Sequence, residues 1–238
     1  MSNIAGITNV ALCHQEMTQL MDRSQSLPGL GVVHGPSGYG KSFAASYTCN
    51  SHRAYYVQCK STWTRKAFLE AILKEMGIVP ARNLAAMTEQ ACEELMQSGR
   101  PLIIDEADWL ADRKSSVMMA MDLYEGSQAA IMLIGEERLP AKLAHYEKIH
   151  NRILTWVPAQ PCQLPDVHQL ADIYARGVDI DEQLLINLLD ATKGVTRRIC
   201  VNLENIRNWA GNNGTNIVTL ANYDTPMFTG QAPRGRSA

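Results

Sequence analysis

The 238-residue sequence contains no long apolar run, and this absence excludes several classes of protein. A membrane-spanning helix needs about 20 consecutive apolar residues, and no stretch of the chain approaches that length. The amino-terminal residues MSNIAGITNVALCHQ carry neither a basic start nor a long apolar stretch, which argues against a secretory signal peptide. We therefore expect a cytoplasmic protein with no membrane partner.

The chain also lacks a strong charge of either sign and any short spacing of cysteines. Its 22 Lys and Arg residues against 24 Asp and Glu residues give a net charge of −2, so a nucleic-acid site would have to be a local basic patch. None of the six cysteines forms a CxxC pair, which argues against a zinc site and a disulfide framework. With 46% apolar and 19% charged residues, the composition is that of an ordinary globular protein.

Apolar, β-rich segments alternate with helical patterns along most of the chain, which is typical of a parallel sheet flanked by helices. Five segments are predicted to be strands: residues 30–34, 55–59, 102–104, 130–134 and 153–157. Helices are predicted over residues 64–76 and 84–96, each with a glycine at or near its end. The fold class expected from this alternation is α/β.

The pattern changes after residue 157. The segment PAQPCQLP is typical of a linker, and only helical periodicity follows, over residues 166–176, 181–191 and 196–209. After Gly211, small and polar residues predominate and favour a poorly ordered tail. The predicted organisation is an α/β domain over residues 1–160, a small helical domain over 161–212 and a flexible basic tail over 213–238.

One motif predicts a nucleotide site. GPSGYGKS fits the phosphate-binding pattern GxxxxGK[ST] between a predicted strand and a plausible helix. Its glycines let successive backbone N–H groups turn toward the phosphates. Lys41 is expected to reach the β- and γ-phosphates, and Ser42 to bind Mg²⁺. The residues predicted to hold the nucleotide are Gly35, Pro36, Ser37, Gly38, Tyr39, Gly40, Lys41 and Ser42.

A second motif, PLIIDEAD, places acidic residues directly after a short predicted strand. Because parallel sheets bind ligands at the carboxyl ends of their strands, Asp105 is expected to hold Mg²⁺ through water. Glu106 is expected to polarise the attacking water as a general base. Asp108 instead fits an acidic residue at a helix amino terminus. A glutamate after the aspartate, together with the absence of an NKxD guanine motif, favours ATP.

Together, GPSGYGKS, LIIDEAD, a strand ending in LIG, HNRI and GVTRR resemble an AAA+ ATPase. Within that class the chain is most similar to the transposition proteins B of Mu-like phages and to related target-selecting ATPases of transposons. The resemblance covers residues 6–209. It implies a P-loop NTPase fold with a five-stranded parallel sheet and an all-α lid domain, ATP and Mg²⁺ as cofactors, and a homo-oligomeric ring or helical filament. For a phage-encoded protein, the cytoplasm would be that of the host cell.

The resemblance also implies roles for individual side chains. Arg152 in HNRI matches the arginine that enters the neighbouring subunit's ATP site and stabilises transition-state charge, although a surface ion pair would equally suit this residue. Arg197 in GVTRR matches the lid arginine that contacts the γ-phosphate, with Arg198 as its alternative. Glu136 stands where the class usually carries a neutral polar residue. Hydrolysis would then be slow or dependent on assembly, unless Glu136 points to solvent.

Basic residues are clustered near two of the predicted strands. Two clusters are predicted to bind double-stranded DNA: Lys60, Arg65 and Lys66 after the second strand, and Arg113 and Lys114 after the DEAD sequence. In AAA+ assemblies the loops after the second strand line a central channel, where repeated basic residues would follow a phosphate backbone. Each cluster also fits a solvated helix face. Trp63 fits a stacking side chain or, more typically, a core residue.

The leading functional hypothesis is an ATP-dependent DNA-binding ATPase. ATP would drive its oligomerisation on target DNA, the assembly would recruit or activate a transposase, and hydrolysis would dissolve the assembly. The alternative is a replication helicase loader or initiator-like ATPase, which shares the same core. A small-molecule P-loop kinase is less favoured, because Glu106 and the late helical domain suit a hydrolytic ATPase.

Overall fold

A computed structural model describes residues 6–231, and these residues form two compact units. The sheet unit contains Asn9–Ser37 and Lys41–Ala159. The helical unit contains residues 6–8 and 160–231 together with Gly38–Gly40. The domain boundaries predicted from the sequence, at residues 160 and 212, stay predictions. None of the described helices is long and apolar enough to cross a membrane.

The sheet unit is built on five parallel strands. They are β1 (Leu30–His34), β2 (Tyr55–Gln58), β3 (Leu102–Asp105), β4 (Ile131–Gly135) and β5 (Ile153–Pro158). Their order across the sheet is β2-β3-β4-β1-β5, and every neighbouring pair is parallel. Each strand begins and ends within one residue of its sequence prediction. The predicted α/β fold class with a five-stranded parallel sheet is therefore confirmed.

Eight helices accompany these strands among the described residues. They are α1 (Thr8–Met21), α2 (Lys41–His52), α3 (Arg65–Glu75), α4 (Leu84–Ser98), α5 (Asp108–Ala111), α6 (Lys114–Ser127), α7 (Leu139–Ala144) and α8 (Glu147–His150). The Thr64 hydroxyl caps α3 by accepting from the Ala67 N–H at 3.2 Å. Gly99, with φ of 63°, ends α4. Of these helices, only α3 and α4 have bounds predicted from the sequence.

The core lies on both faces of the central strands. Every residue of β3 and β4 is buried, as expected for parallel strands covered by helices on both sides. Helices α4 and α6 approach closely, since a side chain at Gly126 would lie 2.6 Å from the Cys92 sulfur. Acidic residues lie at the carboxyl ends of these two strands, since Asp105 ends β3 and Glu136 follows β4.

The helical unit contains α9 (Leu164–Tyr174), α10 (Glu182–Thr192) and α11 (Thr196–Asn212). Strands β6 (Asp179–Ile180) and β7 (Ile217–Val218) add a two-stranded parallel sheet that the sequence analysis did not anticipate. Buried Asp166 accepts hydrogen bonds from the Gln163 N–H and the Thr8 N–H, both at 2.8 Å. These bonds hold Thr8 to the start of α9 within the helical unit.

The segment after α11 contacts that helix through a buried amide. The Asn202 side chain accepts from the Phe228 N–H at 2.8 Å and donates to the Phe228 carbonyl at 2.9 Å. The flexible basic tail predicted over residues 213–238 therefore includes a stretch with defined contacts. Its residues 232–238 lie outside the described residues, and the predicted flexibility stays a prediction.

Glu16 is a buried acidic residue between α1 and β5. Its side chain is 3% exposed and accepts a hydrogen bond from the Thr155 hydroxyl. Burial raises the pKa of this carboxyl above its ordinary value of 4.5, and the Thr155 bond only partly offsets the effect. The folded state therefore favours the protonated form of Glu16.

This raised pKa predicts a pH-dependent effect of Glu16→Gln. The contribution of Glu16 to stability is fully present below pH 4.5 and is lost as pH rises through the raised folded-state pKa. Glutamine keeps the acceptor for Thr155 and removes the charge, so the variant should gain stability over wild type as pH rises toward 8. Denaturant unfolding from pH 4 to 8 tests this, with exposed Glu75→Gln as the control. A uniform loss of stability at every pH would contradict it.

Candidate nucleotide site

The GPSGYGKS loop connects β1 to α2 at the carboxyl end of a strand inside the sheet. Gly38 and Gly40 have φ values of 86° and 78°, in a region that side-chain-bearing residues rarely adopt. A side chain at Gly35 would meet the Ala159 Cβ at 2.9 Å. The backbone therefore requires glycine at the three positions where the motif has it.

Lys41 is the first residue of α2, and its ammonium group is held by the loop. Its Nζ donates to the Gly35 carbonyl at 2.6 Å and to the Pro36 carbonyl at 2.9 Å. Burial lowers the pKa of Lys41, and nearby carboxylates oppose this shift. These carboxylates belong to Asp105, Glu106, Glu136 and Asp108.

Asp105 ends β3 as a buried carboxylate with two donors. It is 2% exposed. Its Oδ1 accepts from the Glu106 N–H at 2.8 Å, and its Oδ2 accepts from the Tyr56 hydroxyl at 2.8 Å. Burial and the Asp105 charge raise the pKa of Tyr56, so its hydroxyl stays a donor. Tyr56 was not predicted as a site residue, because the neighbour of β3 in the sheet is not evident from local patterns.

Glu106 occupies the turn between β3 and α5. Its φ of 53° is uncommon for a residue other than glycine. Burial raises the pKa of this carboxyl, the charges of Asp105, Glu136 and Asp108 add to the effect, and Lys41 opposes it. A carboxylate with a raised pKa accepts a proton more readily near neutral pH, which suits a general base.

A hydrogen bond between Asp108 and Glu136 connects the segments that follow the neighbouring strands β3 and β4. Asp108 is 8% exposed; its Oδ2 accepts from the Glu136 N–H at 2.6 Å, and its Oδ1 lies 3.4 Å from the Lys142 ammonium. Asp108 thus does more than begin α5, because it also fixes the loop after β4. The Glu136 side chain is exposed, as one of the two sequence interpretations expects. Its charge still acts on Glu106.

Comparison with protein families matches residues 23–143 to the AAA domain family. The matched segment covers just over half of the 238-residue chain and includes the GPSGYGKS and LIIDEAD motifs. The chain belongs to the AAA domain family. This membership agrees with the P-loop NTPase fold and implies a nucleotide-binding protein. Among curated protein sequences, none matches the chain.

Solved structures with the same fold include Orc1 and Cdc6p proteins from two organisms. Orc1 of Aeropyrum pernix in complex with DNA is 16% identical, with a TM-score of 0.61 over 88% of this chain and 61% of that one. Cdc6p of Pyrobaculum aerophilum is 16% identical, with a TM-score of 0.61 over 88% and 62% of the two chains. The chain thus spans about three fifths of the length of these two proteins.

A Walker-type ATPase of Pyrococcus abyssi also shares the fold, at 16% identity and a TM-score of 0.60 over 84% of this chain and 68% of that one. At such low identities these likenesses show the fold alone. They confirm the AAA-type architecture and leave the transposition branch of the sequence resemblance untested.

The residues of this AAA domain fit Mg²⁺ bound together with a nucleotide. Mg²⁺ usually keeps several waters and takes one or two protein oxygens in addition to substrate phosphates. Asp105 presents a buried carboxylate at a strand end, and Ser42 presents an exposed hydroxyl on the second residue of α2. Within residues 6–231, no group of three or more His, Cys, Asp or Glu side chains is arranged to hold a metal by itself. A site completed by phosphates is consistent with both observations.

Arg152 lies at the end of the strands opposite the phosphate loop. Its carbonyl accepts from the Leu30 N–H at 3.2 Å, at the amino end of β1, whereas the loop follows the carboxyl end. The length of a five-residue strand, roughly 16 Å, separates these two ends. The side chain is 46% exposed and lies 3.5 Å from the Glu125 carboxylate. The surface ion pair considered from the sequence is therefore present.

Within the helical unit, Arg197 and Arg198 have different surroundings. The Arg197 N–H donates to the Gly38 carbonyl at 2.9 Å, and its side chain is exposed. The Arg198 guanidinium instead packs against Gly230, where an added Cβ would lie 2.9 Å from its Nε. Of the two arginines, Arg197 therefore has the more exposed side chain.

The basic residues predicted to bind DNA lie on the surface of the sheet unit. All five, Lys60, Arg65, Lys66, Arg113 and Lys114, are exposed. Two of them, Lys60 and Arg65, line a small cavity together with Trp63, Trp109, Leu110 and Ser116, among other residues. Trp63 is half-buried against the core, with the Lys60 ammonium 5.9 Å from its ring centroid. One further residue, Trp109, thus belongs to this surface and was not identified from the sequence.

The bond between Tyr56 and Asp105 predicts a site-specific effect of Tyr56→Phe. Loss of one hydrogen bond to a buried carboxylate costs about 1–2 kcal/mol, or roughly 5–30-fold in an equilibrium constant. Asp105 would then be less well oriented to hold Mg²⁺. We expect Mg²⁺-dependent nucleotide binding to require a correspondingly higher Mg²⁺ concentration. The matched control is Tyr55→Phe, because the Tyr55 hydroxyl bonds to Glu94 at 2.5 Å and not to Asp105. Equal Mg²⁺ requirements for the two variants would contradict the prediction.

Proposed function

We propose that this protein is an ATP-dependent DNA-binding ATPase that assembles on DNA and recruits or activates a transposase. The observation that carries the proposal is the meeting of Lys41, Asp105 and Glu106 at the carboxyl edge of one parallel sheet. The exposed basic clusters follow β2 and β3 at that same edge. The motif spacing and the compact helical region after the sheet favour the transposition branch.

The chemistry proposed for the site is phosphoryl transfer to water. Residues 35–40 would surround the phosphates with backbone N–H groups, and Lys41 would neutralise their charge. Ser42 and Asp105 would hold Mg²⁺, which supplies charge neutralisation when bound. Glu106 would accept a proton from the attacking water, a role to which its raised pKa is suited. The charge of Glu136 close to Glu106 favours a slow reaction that depends on assembly or DNA.

The position of Arg152 supports a homo-oligomer, provided that this arginine acts in catalysis as proposed. Because this arginine lies at the opposite edge from the phosphate loop of its own chain, a catalytic role requires a second subunit. In a ring or helical filament, Arg152 of one subunit would reach the ATP site of the next and stabilise transition-state charge. Arg197 is proposed to contact the γ-phosphate, as the family resemblance implies.

DNA is proposed to bind along the exposed basic residues. Among the residues described, Lys60, Arg65, Arg113 and Lys114 form no ion pair, whereas Lys66 lies 3.6 Å from Glu70. Unpaired surface cations release counterions when they meet phosphates, so binding should be strongly salt-dependent and tolerant of sequence. Repetition in an assembly would sum these contacts over the length of a double-stranded DNA.

A replication initiator or helicase loader is the second candidate function. Two solved structures that share the fold are Orc1 in complex with DNA and Cdc6p. Such a protein would use the same nucleotide site and DNA surface, and would hand over a helicase instead of a transposase. Binding assays with purified transposase and helicase discriminate between the two candidates.

The proposal predicts assembly that requires both ATP and DNA. Light scattering and pelleting with double-stranded DNA should show large particles for wild type, and high salt should dissolve them. Lys41→Ala should abolish assembly, because it removes the cation that binds the phosphates. Glu106→Gln should stabilise the particles and lower the ATPase rate by about 100-fold or more, as expected for loss of general-base catalysis. A protein that stays monomeric with ATP and DNA would contradict the proposal.

An intersubunit site predicts complementation between two inactive variants. Lys41→Ala and Arg152→Ala should each lose most ATPase activity. In a mixture, the intact loop of an Arg152→Ala subunit can meet Arg152 of a Lys41→Ala subunit, so activity should return to a substantial fraction of wild type.

The matched control for this experiment is Glu125→Gln, which breaks the surface ion pair of Arg152 but keeps the arginine. This control should retain activity, because an exposed ion pair contributes only about 0–1 kcal/mol to stability. Loss of activity in Glu125→Gln, or no recovery on mixing, would show that Arg152 acts within its own chain as a structural residue.

A further inference from the structure

Trp109 is a large aromatic side chain exposed beside the nucleotide site. It is 46% exposed and lies on α5, a helix of four residues that begins two residues after Glu106. A single exposed apolar side chain is ordinary on a protein surface, but an exposed indole among cationic side chains can also stack on a ligand. The proposed phosphate chemistry gives Trp109 no role.

The neighbours of Trp109 are aromatic and basic. It lines the same small cavity as Lys60, Trp63 and Arg65, which come from the segment between β2 and the first residue of α3. The half-buried Trp63 ring supports the Lys60 ammonium at 5.9 Å from its centroid. An exposed indole is thus placed next to a second indole and two cationic side chains.

The charge around Trp109 favours a polyanion over an apolar partner. The acidic residues on either side of Trp109 along the chain, Asp108 and Asp112, lie 3.4 Å and 2.7 Å from the Lys142 ammonium. Lys60 and Arg65, which line the cavity together with Trp109, have no ion pair within residues 6–231. The cavity therefore presents two cations without an acidic partner next to the ring.

We propose that Trp109 stacks on an unpaired base of DNA bound at this surface. The inference rests on the proposed DNA-binding function and goes further, because it assigns a preference for DNA with locally unpaired bases. Inside an intact duplex the base faces are covered by their neighbours, whereas an unpaired base offers a free face to an indole. A base stacked on an aromatic side chain contributes about 1–3 kcal/mol, or roughly 5–150-fold in affinity. The flanking cations would meanwhile hold the phosphates on either side.

The test compares a duplex with an unpaired central segment against a fully paired duplex of the same sequence, by fluorescence anisotropy at several salt concentrations. Wild type should bind the partly unpaired DNA about 5–150-fold more tightly. Trp109→Ala should remove this preference without changing the salt dependence, because it loses no phosphate contact. Trp109→Phe should restore much of the preference.

Arg65→Ala is the matched control on the same surface. It should weaken binding to both DNAs equally and reduce the slope of log affinity against log salt by about 1, as expected for a lost phosphate contact. Thermal unfolding of each variant shows whether the fold is retained, and DNA quenching of intrinsic fluorescence, expected for wild type, should be largely lost in Trp109→Phe.

The possible failures are distinguishable. If Trp109→Ala keeps the preference while Arg65→Ala loses affinity, DNA binds at this surface and the stacking role is wrong. An equal affinity of wild type for the two DNAs would also overturn it. If wild type binds neither DNA, the proposed DNA-binding function is itself wrong.

Discussion

The candidate site depends on how the carboxylate of Asp105 is held at the end of β3. Its two oxygens accept from the Tyr56 hydroxyl on β2 and from the backbone of Glu106, each at 2.8 Å. These bonds connect a neighbouring strand and the following turn to one buried charge, whose orientation they fix. The parallel register that pairs Gln58 with Asp105 makes this geometry possible. A shift of that register by one residue would turn Tyr56 to the other face of the sheet.

Negative charge is concentrated at the carboxyl ends of these strands, where the carboxylates repel one another. Asp105, Asp108 and Glu136 all raise the pKa of Glu106, and Lys41 only partly compensates. Hydrogen bonds and the Lys142 ion pairs hold these groups in place without removing their mutual repulsion. Cations brought by a ligand would relieve it, and the Glu136 charge would oppose the approach of phosphates. An assembly that supplies further positive charge would therefore favour turnover.

Local patterns predicted the strands and the motifs, because both are contained in short stretches of sequence. The strand limits agree within one residue, and the glycines of GPSGYGKS adopt the close approach and positive φ values that the motif requires. Contacts between distant segments could not be predicted in this way. Tyr56 with Asp105, Arg152 with Glu125 and Asn202 with Phe228 are examples. Each depends on which strands and helices become neighbours, and no single stretch of sequence specifies that.

The exposed surface and the proposed catalytic base are connected through very few bonds. The backbone N–H of Trp109 donates to the backbone carbonyl of Glu106 at 3.1 Å, so the two residues belong to one tight turn at the start of α5. Glu106 holds a left-handed backbone conformation, which is costly for a residue with a side chain and persists only because its surroundings enforce it. A ligand that moved the Trp109 ring would therefore change the constraints on Glu106 directly. If DNA binds this surface and Glu106 is the general base, as proposed, this turn would connect DNA binding to ATP hydrolysis.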